Sequence, residues 1–228
     1  MVEKQIVIMG AGLAGLSAAV SAREKGAEVL VLESRKCVGG ISVTGMGLFA
    51  VESHHQKERN LDTVFTKDDA FEFIMDRTHW QLDAKIARAY VDKSADTIEW
   101  LEDMGVHFVL MDKLTFPGEI HQTGHLVNSS KMGIGANATA DLIDKLYARA
   151  LSVGAEVQTE AAVTDIQKTD YGYQILYTDA SGSEKTVSAK AVIITAGGYM
   201  NDDTLMKETG RGFYLNENVG AVNSIPLT

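Results

Sequence analysis

Three glycines, Gly10, Gly12 and Gly15, stand at the spacing G-x-G-x-x-G, and a carboxylate, Glu33, follows further along the same stretch. The chemistry open to such a set is the grip on a dinucleotide. The first glycine permits a tight turn, the second lets backbone approach a pyrophosphate, and the third lets a helix pack closely on a strand. A helix that starts there offers unpaired N–H groups and a partial positive charge to phosphate oxygens. A carboxylate at the end of the next strand accepts hydrogen bonds from a ribose 2′-hydroxyl and disfavours a 2′-phosphate. An isolated G-x-G-x-x-G also occurs as a ligand-free turn, so the surrounding elements decide.

Those elements have the right form. Gln5 to Met9 is a short apolar run, the pattern of a strand buried on both faces of a parallel sheet. Leu16, Ala19 and Val20 follow at helical spacing, Gly26 sits where a left-handed helix cap belongs, and Glu28 to Glu33 is a second buried strand. Beyond this β-turn-α-turn-β unit, Cys37 to Gly47 reads as glycine-rich loop and Lys57 to Thr63 as polar linker. Thr66 and Asp69 form a capping box opening a helix through Arg77. From Gln81 to Met104 the residues Leu82, Ile86, Ala89, Tyr90, Ile98 and Leu101 predict helix, with a break near Ser94 and Gly105 as its end. Phe116 to Gly135 reads as loop, and Asn137 to Leu151 as an amphipathic helix stopped by Gly154. Three strand-like runs, Val163 to Lys168, Tyr173 to Tyr177 and Lys185 to Ala189, form a β-meander, and Ala191 to Thr195 reads as a separate buried strand ending in Gly197-Gly198. Asn201 to Glu208 reads as a short helix. The expected fold class is α/β: a Rossmann unit with a parallel sheet and a meander, in one domain over 1–228, carrying a helical insertion at about 50–150.

NAD and FAD share the motif to this point. The run Glu33-Ser34-Arg35-Lys36-Cys37-Val38-Gly39-Gly40 resembles the extended fingerprint of FAD-binding domains of the glutathione-reductase type, and so does a meander in place of a crossover helix. FAD is therefore favoured. The middle of the chain narrows the resemblance: His79-Trp80-x-x-Asp83, Ser94, Ile98 to Phe108, Gly45 to Ala50 and the run TAGGYMND are similar to the fumarate reductase/succinate dehydrogenase flavoproteins. That resemblance implies an oxidoreductase moving a hydride to or from a carbon–carbon bond, often of a small unsaturated carboxylic acid such as fumarate. It places FAD contacts on Gly10, Gly12, Ala14, Gly15, Glu33, Gly40, Ile41, Ser42, Met46, Gly47, Val163, Thr195, Ala196 and Gly197.

Three departures stand out. Ile41 replaces a more usual polar residue, Thr195-Ala196 reverses the common order, and no histidine lies between Gly39 and Phe49 where covalent members attach the flavin. Non-covalent FAD is the expectation. Members of that family run considerably longer, and their capping domain and return segment carry the catalytic residues, so the chain is expected to be a fragment without an assignable catalytic acid. An NAD(P)-linked Rossmann enzyme and a non-catalytic dinucleotide-binding module remain as other readings.

The 228 residues carry 21 Lys plus Arg against 31 Asp plus Glu, a net charge of -10. An acidic chain without a basic run is a poor partner for nucleic acid or an anionic membrane. Cys37 is the only cysteine, which excludes an intrachain disulfide and makes this residue a small loop side chain. No apolar run has the length of a membrane span, and the expected compartment is cytoplasmic. His121 and His125 have i, i+4 spacing, but the glycines and proline around them make a metal-binding helix a poor reading, and the resemblance to related flavoproteins leaves a substrate-side wall role open for one of them. His54-His55 read as exposed linker, Glu102-Asp103 as a solvated helix face, Met46 as packing or a flavin contact, and Trp80 and Trp100 as core. An incomplete flavin domain exposes sheet surface, so self-association is also expected.

Overall fold

The computed structural model describes residues 2–111, 115–116, 119–120, 122–198 and 203–208. In chain order the elements are β1 (Val2–Met9), α1 (Leu13–Glu24), β2 (Val29–Leu32), β3 (Gly47–Phe49), α2 (His54–Lys57), α3 (Lys67–Arg77), α4 (Ala84–Glu102) and β4 (Phe108–Leu110). After them come β5 (Thr115–Phe116), β6 (Glu119–Ile120), β7 (Gly124–Val127), α5 (Thr139–Ser152), β8 (Glu156–Gln158), β9 (Ala162–Thr169), β10 (Gly172–Thr178), β11 (Glu184–Ile194) and α6 (Asp203–Glu208). The chain divides into two compact units, 1–43 with 146–228, and 44–145.

The first unit is a six-stranded sheet in the order β8-β2-β1-β11-β10-β9. Strands β8, β2, β1 and β11 run parallel, and β11, β10 and β9 pair antiparallel as the meander. Val29 to Leu32 are buried throughout, as a strand covered on both faces must be. The meander packs back through a core of Val7, Leu30, Leu32, Ala161, Ile175, Val187 and Ala189. Helix α1 buries Gly15, Leu16, Ala19 and Val20 and stops at Gly26, whose φ is +84°, with Ala27 N–H donating to Ala22 O at 3.0 Å.

Two expectations change here. The runs at 185–189 and 191–195 are one strand: β11 is both the last strand of the meander and the parallel neighbour of β1. Strands of that length are unusual, and turn residues are absent between its two halves, so nothing breaks it. Its end is also not buried, since Ile194 is 67% exposed. The short parallel strand β8 had no distinct signature in the sequence, being only three residues long.

The second unit combines helices with the antiparallel sheet β3-β7-β4, so the insertion is mixed and not simply helical. Strand β7 falls in a stretch that read as loop and β3 begins at the last residue of another, Gly47, because three- or four-residue strands carry no usable alternation. Helix α3 begins at the expected Thr66–Asp69 capping box, with Asp69 N–H donating to Thr66 Oγ1 at 3.2 Å. Asp83 caps α4, which runs without a break through Ser94. The Ser94 hydroxyl donates to Val91 O at 2.8 Å and accepts Val51 N–H at 3.2 Å, so the residue that suggested a break is satisfied inside the helix. The buried face of α4 is Ala87, Val91, Ser94, Ala95, Ile98 and Leu101, whereas Ile86 and Tyr90 are 70% and 54% exposed. Trp80 is not core either: it is 59% exposed, held by its indole N–H on Asp76 Oδ1 at 2.8 Å and edge-on against Phe71.

Candidate dinucleotide site

The glycine turn is built by its neighbours. Gly10 N–H donates to Leu32 O at 2.8 Å and Thr195 N–H to Met9 O at 2.9 Å, so the turn hangs between the ends of β2 and β11. The Thr195 hydroxyl lies 2.7 Å from Met9 O and 3.0 Å from Gly10 O, both acceptors, and pins the turn from behind. At Gly15 a Cβ would lie 1.9 Å from Gly10 O and 2.7 Å from Thr195 Oγ1, and at Gly10 it would lie 2.6 Å from Thr195 O. The chain's own packing therefore demands glycine at 10 and 15. Gly12 is different. Its φ of -75° suits any residue, and a Cβ there would meet only Gly39 O and Ser42 Oγ, each at an ordinary 3.7 Å. The protein does not need glycine at 12, but a phosphate brought against the backbone does. The residues present thus fit a dinucleotide pyrophosphate.

The loop after β2 returns to the same place. Gly39 N–H donates to Ala11 O at 2.8 Å, and the 3₁₀ turn Gly40–Thr44 follows. Ser42 Oγ accepts Leu13 N–H at 3.2 Å, which caps α1 from a distant segment where Gly12 has no side chain to do so. Ala14 and Gly15 supply the remaining first-turn amides, which helix geometry leaves without intrahelical partners. Ile41 is exposed and contributes no side-chain donor or acceptor. Ala196 and Gly197 are exposed beyond the end of β11, Gly197 with a φ of +93°.

Glu33 is 6% exposed. One carboxylate oxygen accepts Ala11 N–H at 2.7 Å, and the other accepts Arg35 N–H at 3.0 Å. The acid thus ties the glycine turn to the end of β2, a structural duty that the sequence did not disclose. The Ser34 hydroxyl also reaches the second oxygen at 3.4 Å, so it is the oxygen holding Ala11 that keeps a lone pair for a ribose hydroxyl. Val163 lies close by in sequence to Ala161, whose N–H donates to Glu33 O at 2.8 Å, and its side chain packs on the sheet core.

Met46 and Gly47 belong to the second unit. A Cβ on Gly47 would lie 2.2 Å from His125 O, so strand pairing between β3 and β7 by itself requires this glycine. Both residues border an apolar cavity of about 780 Å³ walled by Phe49, Phe73, Tyr90 and Leu126, in which Asp83 is the only charged residue among the described residues. Burial raises the Tyr90 phenol pKa, keeping it a neutral donor. Exposed Ile86 and Tyr90 on α4 find their purpose here; the helical spacing marked them as apolar but not as cavity wall.

His125 is no wall of an open site. It is fully buried on β7, its Nε2 2.7 Å from Ser53 Oγ and its Nδ1 3.1 Å from Thr123 O. His121 lies outside the described residues, as do Tyr199 to Asp202 of the TAGGYMND run. Burial lowers the His125 pKa from 6.5 to about 4, so the imidazole stays neutral while the unfolded chain takes up a proton. Stability contributed at this site is complete above about pH 6.5 and is lost as pH falls toward about 4. Urea unfolding across that window should show a steeper loss for the native chain than for His125→Gln.

A family model described as FAD binding domain matches residues 5–220. The vinyl phenol reductase of Lactiplantibacillus plantarum is 34% identical over 206 residues, 89% of this chain and 39% of that protein. The NADH:fumarate oxidoreductase of Klebsiella pneumoniae is 25% identical over 95% of this chain and 24% of its own length. The chain thus spans about a quarter to two-fifths of these relatives. Among solved structures, the 3-ketosteroid-Δ4-(5α)-dehydrogenase of Rhodococcus jostii RHA1 shares the fold with a TM-score of 0.78 at 22% identity, over 91% of this chain and 48% of that one. Among the described residues no helix is long and apolar enough to cross a membrane. The choice between NAD and FAD left open by the glycine motif is settled by that match, and the chain belongs to the FAD binding domain family.

Proposed function

We propose that this chain is the FAD-holding part of an oxidoreductase that reduces or dehydrogenates a carbon–carbon double bond, its substrate a small unsaturated molecule such as a carboxylic acid of the fumarate type. The observation that carries the reading is Gly12, a glycine that the protein's packing does not require, at the centre of a turn matched by the FAD family. Bound FAD supplies the two-electron redox chemistry. The chain's residues bind and orient it. Gly10, Gly12, Ala14 and Gly15 face the pyrophosphate, and Glu33 receives the ribose while holding the turn through Ala11. Gly40, Ile41 and Ser42 continue the cradle, Val163 lies on the adenine side, and Met46, Gly47, Thr195, Ala196 and Gly197 serve the flavin end. The names of the relatives support reduction of an activated double bond, since one is a vinyl phenol reductase and another a fumarate oxidoreductase.

The first test is the visible spectrum of the purified chain after equilibration with FAD. A yellow protein that releases intact FAD on heating is expected, since no histidine lies between Gly39 and Phe49 to anchor it. A chain that stays colourless overturns the assignment. The second test is anaerobic mixing of fumarate with the reduced protein expressed from the gene's longest reading frame, where reoxidation is expected. Indifference to fumarate, crotonate and cinnamate alike would remove the double-bond chemistry while leaving FAD binding intact.

A further inference from the structure

Outside the dinucleotide site, His54, His55 and Glu102 converge in the second unit, each partly buried. Their ligand atoms lie within 4.8 Å of one another. His54 Nε2 is 3.4 Å from one oxygen of Glu102, and His55 Nε2 is 2.8 Å from the other. Donor atoms around a tetrahedral zinc ion with bonds of about 2.0–2.1 Å stand about 3.3 Å apart, so these spacings are close to those of a chelate.

The convergence itself needs explaining. Consecutive residues on a helix point in directions about 100° apart and do not face each other. Here His54 and His55 turn the same way, their ring centroids 4.1 Å apart, and both present Nε2 to one carboxylate at the end of α4. Short helix α2 allows this, anchored by the Ser53–Gln56 capping box. A carboxylate also stands behind one ligand: Glu99 Oε1 is 4.0 Å from His54 Nδ1. At that distance Glu99 adds negative charge beside the cluster without a direct hydrogen bond. The ring of His125 lies 5.6 Å from that of His55 and is already engaged by Ser53 Oγ and Thr123 O.

We infer that His54, His55 and Glu102 form a binding site for a divalent metal ion of the zinc type, with water completing the coordination. The mixed N/O donor set suits zinc, nickel or copper better than calcium or magnesium, which take oxygen ligands. On binding, the ion sits between the two imidazoles and Glu102 and ties α2 to the end of α4. The site is independent of the FAD reading.

The test is Zn²⁺ titration by calorimetry of the chelator-treated, untagged chain, with Co²⁺ absorption as a second readout. One equivalent of saturable Zn²⁺ and the intense visible bands of tetrahedral Co²⁺ are expected. His54→Ala and Glu102→Gln should each weaken binding at least tenfold, and exposed His107→Ala should leave it unchanged. Circular dichroism of each variant separates lost binding from lost folding: a variant that fails to fold is replaced by His55→Gln at the same site. Equal binding by the native chain and a folded His54→Ala/Glu102→Gln double variant, or no saturable binding by the native chain, overturns the site.

Discussion

Gly12→Ala should fold as the native chain does and lose its hold on FAD, whereas Gly15→Ala should lose both. The two residues stand in the same turn, and the contrast separates what the protein needs from what the cofactor needs. At position 15 a Cβ would sit 1.9 Å from a backbone oxygen, Gly10 O, which cannot swing aside as a side-chain tip can. Helix α1 must then lift off the sheet, at a cost on the order of 3 kcal/mol for overpacking of this kind. At position 12 the nearest atoms are at 3.7 Å and φ is already -75°, so the expected loss of stability is the N-cap preference for Gly over Ala, at most about 1 kcal/mol. The added methyl instead occupies the approach to the pyrophosphate, and FAD affinity should fall by about a hundredfold, which is about 2.7 kcal/mol. Urea unfolding measures the first quantity and FAD fluorescence titration the second. Equal FAD affinity in Gly12→Ala and the native chain would show that the phosphates do not pass this face of the turn.

Glu33→Ala should weaken FAD binding and also loosen the empty protein. The buried carboxylate accepts from Ala11 N–H and Arg35 N–H, and its removal leaves the Ala11 amide, at a residue that is itself fully buried, without its acceptor. An unpaired buried donor costs about 1–3 kcal/mol. Glu33→Gln is the informative companion. It keeps an oxygen for Ala11 while giving up the negative charge, so it should recover most of the stability and less of the FAD affinity. Identical behaviour of the two variants in both measurements would mean that the acid serves the turn alone and not the ribose. The carboxylate's two duties agree with each other: the group that would meet the ribose is held in place by the loop that would meet the phosphates.

Much of the first unit was legible because its signals are local. A strand buried on both faces, a glycine turn, a helix with a glycine stop and a second strand follow one another with little intervening chain. The capping box at Thr66 was equally readable, since both of its hydrogen bonds close within four residues. The second unit was less so. Strands β3, β4 and β7 have three or four residues each, too few for a period, and they exist because each finds partners far along the chain. Ser94 read as a helix break on propensity, yet its hydroxyl finds both a carbonyl in its own helix and the Val51 amide. Trp80 read as core on hydrophobicity, yet α3 ends with His79 and Trp80 in left-handed conformation and leaves that ring outside.

By itself the sequence determined the nucleotide-binding unit and the family, because spacing along a chain suffices wherever a motif is continuous, while the fourteen proposed cofactor contacts follow from the resemblance. Only the tertiary structure decided which glycines serve packing and which serve a ligand, since that depends on what stands opposite each missing Cβ: Gly10 O against Gly15, His125 O against Gly47, and nothing closer than 3.7 Å against Gly12. It likewise turned an exposed-looking histidine pair and a solvated-looking glutamate into one cluster. His55 and Glu102 are 47 positions apart in the chain, and no periodicity carries information over that distance until α2 and α4 are folded beside each other.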